Sequence, residues 1–171
     1  MALTPGESGS AGGDADRVVL FRLGAGLCAM PVRQVIETMR PQPLRPLADA
    51  PPYVMGVSVI RGAPVPVVDL AALVHGSRED PARLLTVRAG DPSHTVALAV
   101  TEVVGVASIP AQSWDALSPL LGESVTPPAG DDGTGAVRSV GVAETEIVLL
   151  LDGARTVPDE VWQALATGPA R

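Results

Sequence analysis

Few residues in this chain have the type and spacing that chemistry needs. The one cysteine, Cys28, lies between Leu27 and Ala29 in an apolar run, so it reads as a buried thiol with no cation or helix N-terminus to activate it. His75 and His94 are the two histidines, and no ligand spacing of the His-x-x-x-His kind relates them. The first is expected at the end of a short helix and the second in a hairpin turn, both solvated. Asp131-Asp132 sits in Gly-Asp-Asp-Gly-Thr-Gly, which lacks the alternating acids of a calcium loop. Asp69 and Asp152 each close a hydrophobic run, where capping of the following turn explains them better than acid–base work. There is no Gly-x-Ser-x-Gly elbow. All 12 basic residues are Arg, so neither a Walker-type phosphate loop nor a Schiff-base lysine is available. No catalytic residue, metal or cofactor is expected. The residue that stands out is Arg61, alone at the tip of the apolar stretch Gly56-Val-Ser-Val-Ile-Arg-Gly-Ala-Pro-Val-Pro-Val-Val-Asp69. Its fork and its stem suit an interface, and a plain surface turn is the alternative.

The elements that must position these residues are short and Val-rich. Only four residues are aromatic (Phe21, Tyr53, Trp114 and Trp162), so the core has to be aliphatic, and β-branched side chains favour strands. Residues 1–16 are Gly, Ser and Asp-rich and are expected to be a disordered tail, and residues 167–171 are read as a tail. Strand runs are read at 18–23 and 27–30 around a Gly-Ala-Gly turn, at 54–61 and at 64–70. Residues 35–40 fit a strand, with 32–36 also fitting a helical turn. Pro41 to Pro52 holds five prolines in twelve residues and reads as extended loop. Asp69 is placed to cap a helix from Leu70 to His75 that ends at Gly76. Further strands are read at 84–88, 96–100, 103–109, 137–142 and 147–151, with a helix at 158–165. The segment 111–135 reads as a long Pro/Gly/Asp loop.

The two halves echo each other. Arg17-Val-Val-Leu-Phe-Arg-Leu aligns with Arg83-Leu-Leu-Thr-Val-Arg-Ala, and Val65-Pro-Val-Val-Asp69 with Val148-Leu-Leu-Leu-Asp152. Pro41 and Pro110 follow at matching places. Many short strands with such a repeat predict an all-β protein of two similar small barrels, with a rough switch near 77–82. Nineteen acidic against 12 basic residues give a net charge of −7, which argues against nucleic-acid binding. One Cys fits a reducing compartment. The opening residues do not read as a signal peptide, and the aliphatic run Ile147 to Leu151 is too short to span a bilayer. The expected location is cytoplasmic, without membrane insertion.

From about Arg17 to Leu151 the chain resembles the CheW family of chemotaxis coupling proteins. The similarity is carried by Val19-Leu-Phe-Arg-Leu-Gly24, Cys28-Ala-Met-Pro-Val32 with Val35-Ile-Glu37, Gly56-Val-Ser-Val-Ile-Arg-Gly62, Pro64-Val-Pro-Val-Val-Asp-Leu70, Val96-Ala-Leu-Ala-Val-Thr-Glu-Val103 and Val148-Leu-Leu-Leu-Asp152. The Arg-Gly…Pro-Val-Val-Asp-Leu run is the most specific part. Val59 stands where the family pattern has Asn, Thr101 where it has Asp, and Ala97 where it has Gly. The resemblance implies two five-stranded β-barrels packed through a shared hydrophobic seam, within one domain at 17–166. It implies a non-enzymatic adaptor between the tip of a methyl-accepting chemotaxis receptor and a CheA-like histidine kinase, recruited to receptor arrays. Val32, Val35, Glu37, Val59, Arg61 and Gly62 are the interaction positions it implies. A divergent member that binds one partner only, as a competitor or in a motility or developmental pathway, is the alternative. A small-ligand barrel or enzyme is the alternative of another class.

Overall fold

Val-rich alternation becomes ten strands in a computed structural model that describes residues 17–110, 114, 137–143, 145–153, 157 and 159–167. The strands are β1 (Arg17–Leu23), β2 (Gly26–Pro31), β3 (Val35–Met39), β4 (Val54–Ile60), β5 (Ala63–Asp69), β6 (Arg83–Ala89), β7 (Asp91–Val100), β8 (Glu102–Ser108), β9 (Val137–Ala143) and β10 (Glu146–Leu151). Helix α1 (Leu70–His75) follows β5 and helix α2 (Asp159–Thr167) follows β10. The ambiguity at 32–40 resolves as both forms in sequence: a 3-10 turn at Val32–Gln34, then β3. The expected tail at 1–16, the long loop at 111–135 save Trp114, and residues 168–171 lie outside the described residues.

The strands form two five-stranded sheets. The first has the order β8-β1-β2-β10-β9 and the second β3-β6-β7-β5-β4. The expected switch near 77–82 is therefore corrected. The chain enters the second sheet after β2 and leaves it after β7, so the first sheet is completed by strands that return from the far end. The reason is pairing at long range: β10 runs parallel to β2, with Val148 beside Leu27 and Leu150 beside Ala29. The sequence echo still marks true equivalents. β1 and β6 hold the second place in their sheets, and β10 and β5 the fourth. The parallel ladder of β5 on β7, Val67 beside Ala97, repeats that of β10 on β2. Pro41 and Pro110 each follow the first-placed strand. The two units are thus alike but permuted along the chain.

The inner strands carry apolar side chains on both faces over part of their length. Val19, Phe21 and Leu23 of β1 join Cys28, Met30, Leu85, Val87, Leu98 and Leu151 in a core between the sheets, the shared seam. Val18, Leu27, Ala29, Val148 and Leu150 form a smaller core on the other face of the first sheet. Ile60, Val65, Val67, Leu84, Ala97 and Ala99 do so for the second. Helix α1 begins as the sequence predicts. The Ala72 amide donates to Asp69 Oδ1 at 3.0 Å, and Gly76 closes the helix at φ 72°. Pro64 and Pro66 lie before the stretch of β5 that pairs with β7, so their missing N–H groups cost no ladder bond on that side. Thr101, at the β7–β8 junction, donates to the Arg22 carbonyl at 2.8 Å and accepts the Gly24 amide at 3.1 Å, which ties the junction to β1.

Candidate protein-docking site

The hairpin of β4 and β5 turns in two residues, because Ile60 pairs with Ala63. Arg61 and Gly62 are both left-handed, with φ of 51° and 81°. This is the two-residue hairpin geometry that matches strand twist, and it favours Asn-Gly. The chain has no Asn, and an Arg occupies the first position against its own backbone preference. A Cβ on Gly62 would meet nothing within 4 Å, so that glycine is needed for its φ and not for space.

The Arg61 side chain reaches back to β3. Its Nε donates to Glu37 Oε1 at 2.6 Å and its Nη2 to Oε2 at 2.8 Å. Glu37 faces this way because of a bulge: Val35 pairs with Val87 and Glu37 with Thr86, which leaves Ile36 extra. Val35 consequently packs on the seam, while Glu37 and Met39 face the opposite side of the second sheet. The bidentate pair lowers the Glu37 pKa and raises that of Arg61, chiefly through these hydrogen bonds. The Arg61 side chain is 76% exposed, so the pair is a surface device and a weak contributor to stability. It spans the outer strands of the second sheet, which no backbone ladder joins among the described residues.

Behind the pair lies a cavity of about 410 Å³. Ile36, Ile60, Pro64 and Val65 give it apolar walls, and Glu37, Arg61, Thr86, Ser93, His94 and Thr95 give it a polar share. Helix α2 forms one side through Trp162, Leu165 and Ala166. His94 is not in a turn as expected: β7 starts at Asp91, and the His94 ring stacks on Trp162 with centroids 4.3 Å apart and planes 7° from parallel. The first sheet has an equivalent mouth of about 400 Å³, bounded by Leu20, Leu27, Val104, Ala107 and Val142. There Arg22 donates to both Glu146 carboxylate oxygens, at 3.2 and 3.0 Å.

Of the positions expected from sequence, the structure brings together Glu37, Arg61, Gly62 and Val59. The last is 67% exposed and shares a shallow second hollow with Glu37 and Arg61. Val32 and Val35 are half-buried against the seam, away from that group. The mouth also takes in Ile36, His94, Trp162 and Leu165, to which the sequence assigns no binding role. The helical spacing of Val161, Trp162 and Leu165 was the available signal, but it does not say which sheet the helix meets. Cys28 and Asp152 are engaged within the fold. Cys28 is fully buried in the seam, where desolvation pushes its thiol up to about 12. Asp152 accepts from Gln34 Nε2 at 3.2 Å. Among the described residues no group of three or more His, Cys, Asp or Glu is placed to hold a metal. No helix among them is long and apolar enough to cross a membrane.

Comparison with known proteins agrees with this architecture. The crystal structure of the scaffolding protein TtCheW from Thermoanaerobacter tengcongensis superposes with a TM-score of 0.64 at 18% identity, covering 81% of this chain and 84% of that one. At that identity the likeness speaks for the fold. No curated protein matches the sequence. The family model for the CheW-like domain matches residues 17–161, which takes in both sheets, the Arg61–Glu37 pair and the first residues of α2; the chain belongs to the CheW-like domain family.

Proposed function

We propose that this chain is a non-enzymatic adaptor that couples a chemoreceptor-type protein to a CheA-like histidine kinase in a bacterial chemosensory pathway. Membership of the CheW-like family supports the adaptor class. The single observation that carries the reading is Arg61. A residue held at φ 51°, with three-quarters of its side chain in solvent and its fork shared with Glu37, adds little to the fold and much to a surface. The helical receptor tip docks at this mouth, in the manner of a helix laid on an apolar groove. Glu37, Arg61, Gly62 and Val59 contact it, and Val32 and Val35 support β3 from the seam side. The kinase uses a different surface. The working location is the cytoplasm, at receptor arrays, with 17–166 acting as one unit.

Binding of Arg61→Glu to a receptor-tip fragment and to the kinase regulatory domain, each measured separately, tests this. The expected result is a melting temperature changed little, because the pair is exposed, with receptor affinity reduced at least about tenfold, since reversal sets an acid against the carboxylate or carbonyl that Arg61 meets on the partner and adds repulsion to the lost bonds. A stable variant that binds the receptor normally contradicts it. One observation favours the one-partner reading: Val59 leaves an exposed apolar side chain where the family pattern has Asn. In that case the wild-type chain binds one of the two partners and never both.

A further inference from the structure

Equivalent strands line the two mouths, yet a helix flanks only one of them. The mouth of the first sheet is bounded, among the described residues, by its strands and by Ile109 and Pro110. At the mouth beside Arg61, Trp162, Leu165 and Ala166 of α2 stand over the sheet. The sequence of α2 explains how it is held. Val161, Trp162 and Leu165 recur at helical spacing and make one narrow apolar stripe, while Asp159, Glu160 and Gln163 are exposed. Within that stripe Val161 alone is buried, and Trp162 and Leu165 are half-buried at the margin of the seam. The stack of Trp162 on His94 is the contact that ties the helix to β7. Nine residues are too few for a helix to persist in water by themselves, so α2 depends on this seating. The strands beneath it are different: Leu85, Val87, Val96 and Leu98 are fully buried.

From this we infer that α2 is an autoinhibitory strap, latched by the Trp162–His94 stack, which restricts the mouth beside Arg61 until it opens. The inference rests on the receptor reading above and names a regulation of that site. An amphipathic helix already seated at the mouth is an object of the same kind as the partner helix that is to dock there. Because the chain tethers it, α2 competes at a high effective concentration even though its own hold is weak. Its small buried contact makes it the element around the mouth that opens at the lowest free energy, ahead of the strands. Opening breaks the ring stack and uncovers the wall formed by Thr86, Ser93, His94 and Thr95. The apparent affinity for a partner is the intrinsic one reduced by the fraction of molecules that are open. The described lining of the first mouth holds no helical residue, so this device acts on one docking surface and leaves the other ungated.

The latch can be broken from either side in the full chain, by Trp162→Ala on the helix or by His94→Ala on β7. In the wild type, amides of α2 should exchange through a local opening that low denaturant does not quicken, whereas the Leu98 amide follows global unfolding. In both variants exchange at α2 should quicken at least about tenfold, with Leu85 and Leu98 unchanged, and a receptor-tip fragment should bind at least about threefold more tightly. His94→Ala keeps every side chain of α2, so it decides the matter if Trp162→Ala also loosens the sheets. Amides of α2 that exchange only together with Leu98 overturn the strap. Quickened exchange with affinity unchanged or lowered overturns the inhibition and leaves the receptor reading standing. A gain in affinity in one variant alone, both being folded, overturns it as well, since the effect then belongs to that side chain and not to the stack. If the wild type and both variants bind no receptor fragment, the receptor reading itself fails, whatever the exchange shows.

Discussion

Arg61 and Glu37 show how a residue can be costly for its backbone and cheap for the fold's electrostatics at once. The left-handed φ of Arg61 is a conformation that Gly accepts freely, so Arg61→Gly relieves strain while it removes an exposed ion pair. The melting temperature is expected to hold or rise. Glu37 reports the loss directly. Arg61 holds its carboxyl below the ordinary range, so the folded-state pKa lies below the unfolded one. The pair's contribution is then fully present above the unfolded carboxylate range and disappears as pH falls through the folded value. In Arg61→Gly the Glu37 titration, followed by carboxyl NMR shifts, should move up toward the ordinary carboxylate range. The wild-type shift should shrink with added salt, as exposed pairs do. A Glu37 titration that ignores both changes would mean the two side chains do not meet in solution.

Between residues and sheets, the Pro-rich segment before β4 pairs with that strand through one isolated bridge. Arg45 and Val57 exchange both backbone hydrogen bonds at 2.8 Å, and Ser58 Oγ donates to the Pro43 carbonyl at 3.0 Å. The edge of β4 is thereby covered, which removes an exposed template for unwanted pairing. Gly56 permits the approach. A Cβ there would lie 2.4 Å from the Arg45 carbonyl oxygen, and its φ is 144°. Gly56→Ala should cost about 1–3 kcal/mol in a denaturant melt, the range for forcing atoms into a packed site. Amide exchange at Arg45 and Val57 should quicken together, and an unaltered melt would show the loop is not seated on β4. At this scale the sequence was most legible. Val-rich runs marked the strands within a residue or two at most ends, and Asp69 with Gly76 marked α1 by chemistry that acts within four residues. Long-range pairing was not legible. The echo of β1 in β6 told which strands are alike, but not that β8, β9 and β10 return to β1 and β2. The bulge at Ile36, which turns Glu37 toward Arg61 and Val35 toward the seam, has no signature in residue type. Nor did anything local join Trp162 to His94.

For the whole molecule, the permuted repeat matters more than either sheet alone. Two like units share one seam of fully buried side chains, Phe21, Met30, Leu85 and Leu98 among them, so the mouths are held in fixed relation by a packed core. Two separate mouths held on one packed core would serve the proposed adaptor role, because a partner on one mouth leaves the other uncovered. The rims are not copies, since Val104 and Val106 are exposed on β8 whereas Ile36 and Val59 are exposed at the other mouth, and this asymmetry suits two different partners. The bridging claim is tested most directly by one three-component sedimentation experiment. Receptor-tip fragments assembled on vesicles are spun with the kinase regulatory domain, with and without this chain. The account predicts that the kinase domain pellets only when the chain is present, and that Arg61→Glu releases chain and kinase domain together. A chain that pellets with the receptor while the kinase domain stays in the supernatant, at concentrations where each binary mixture is saturated, would contradict it.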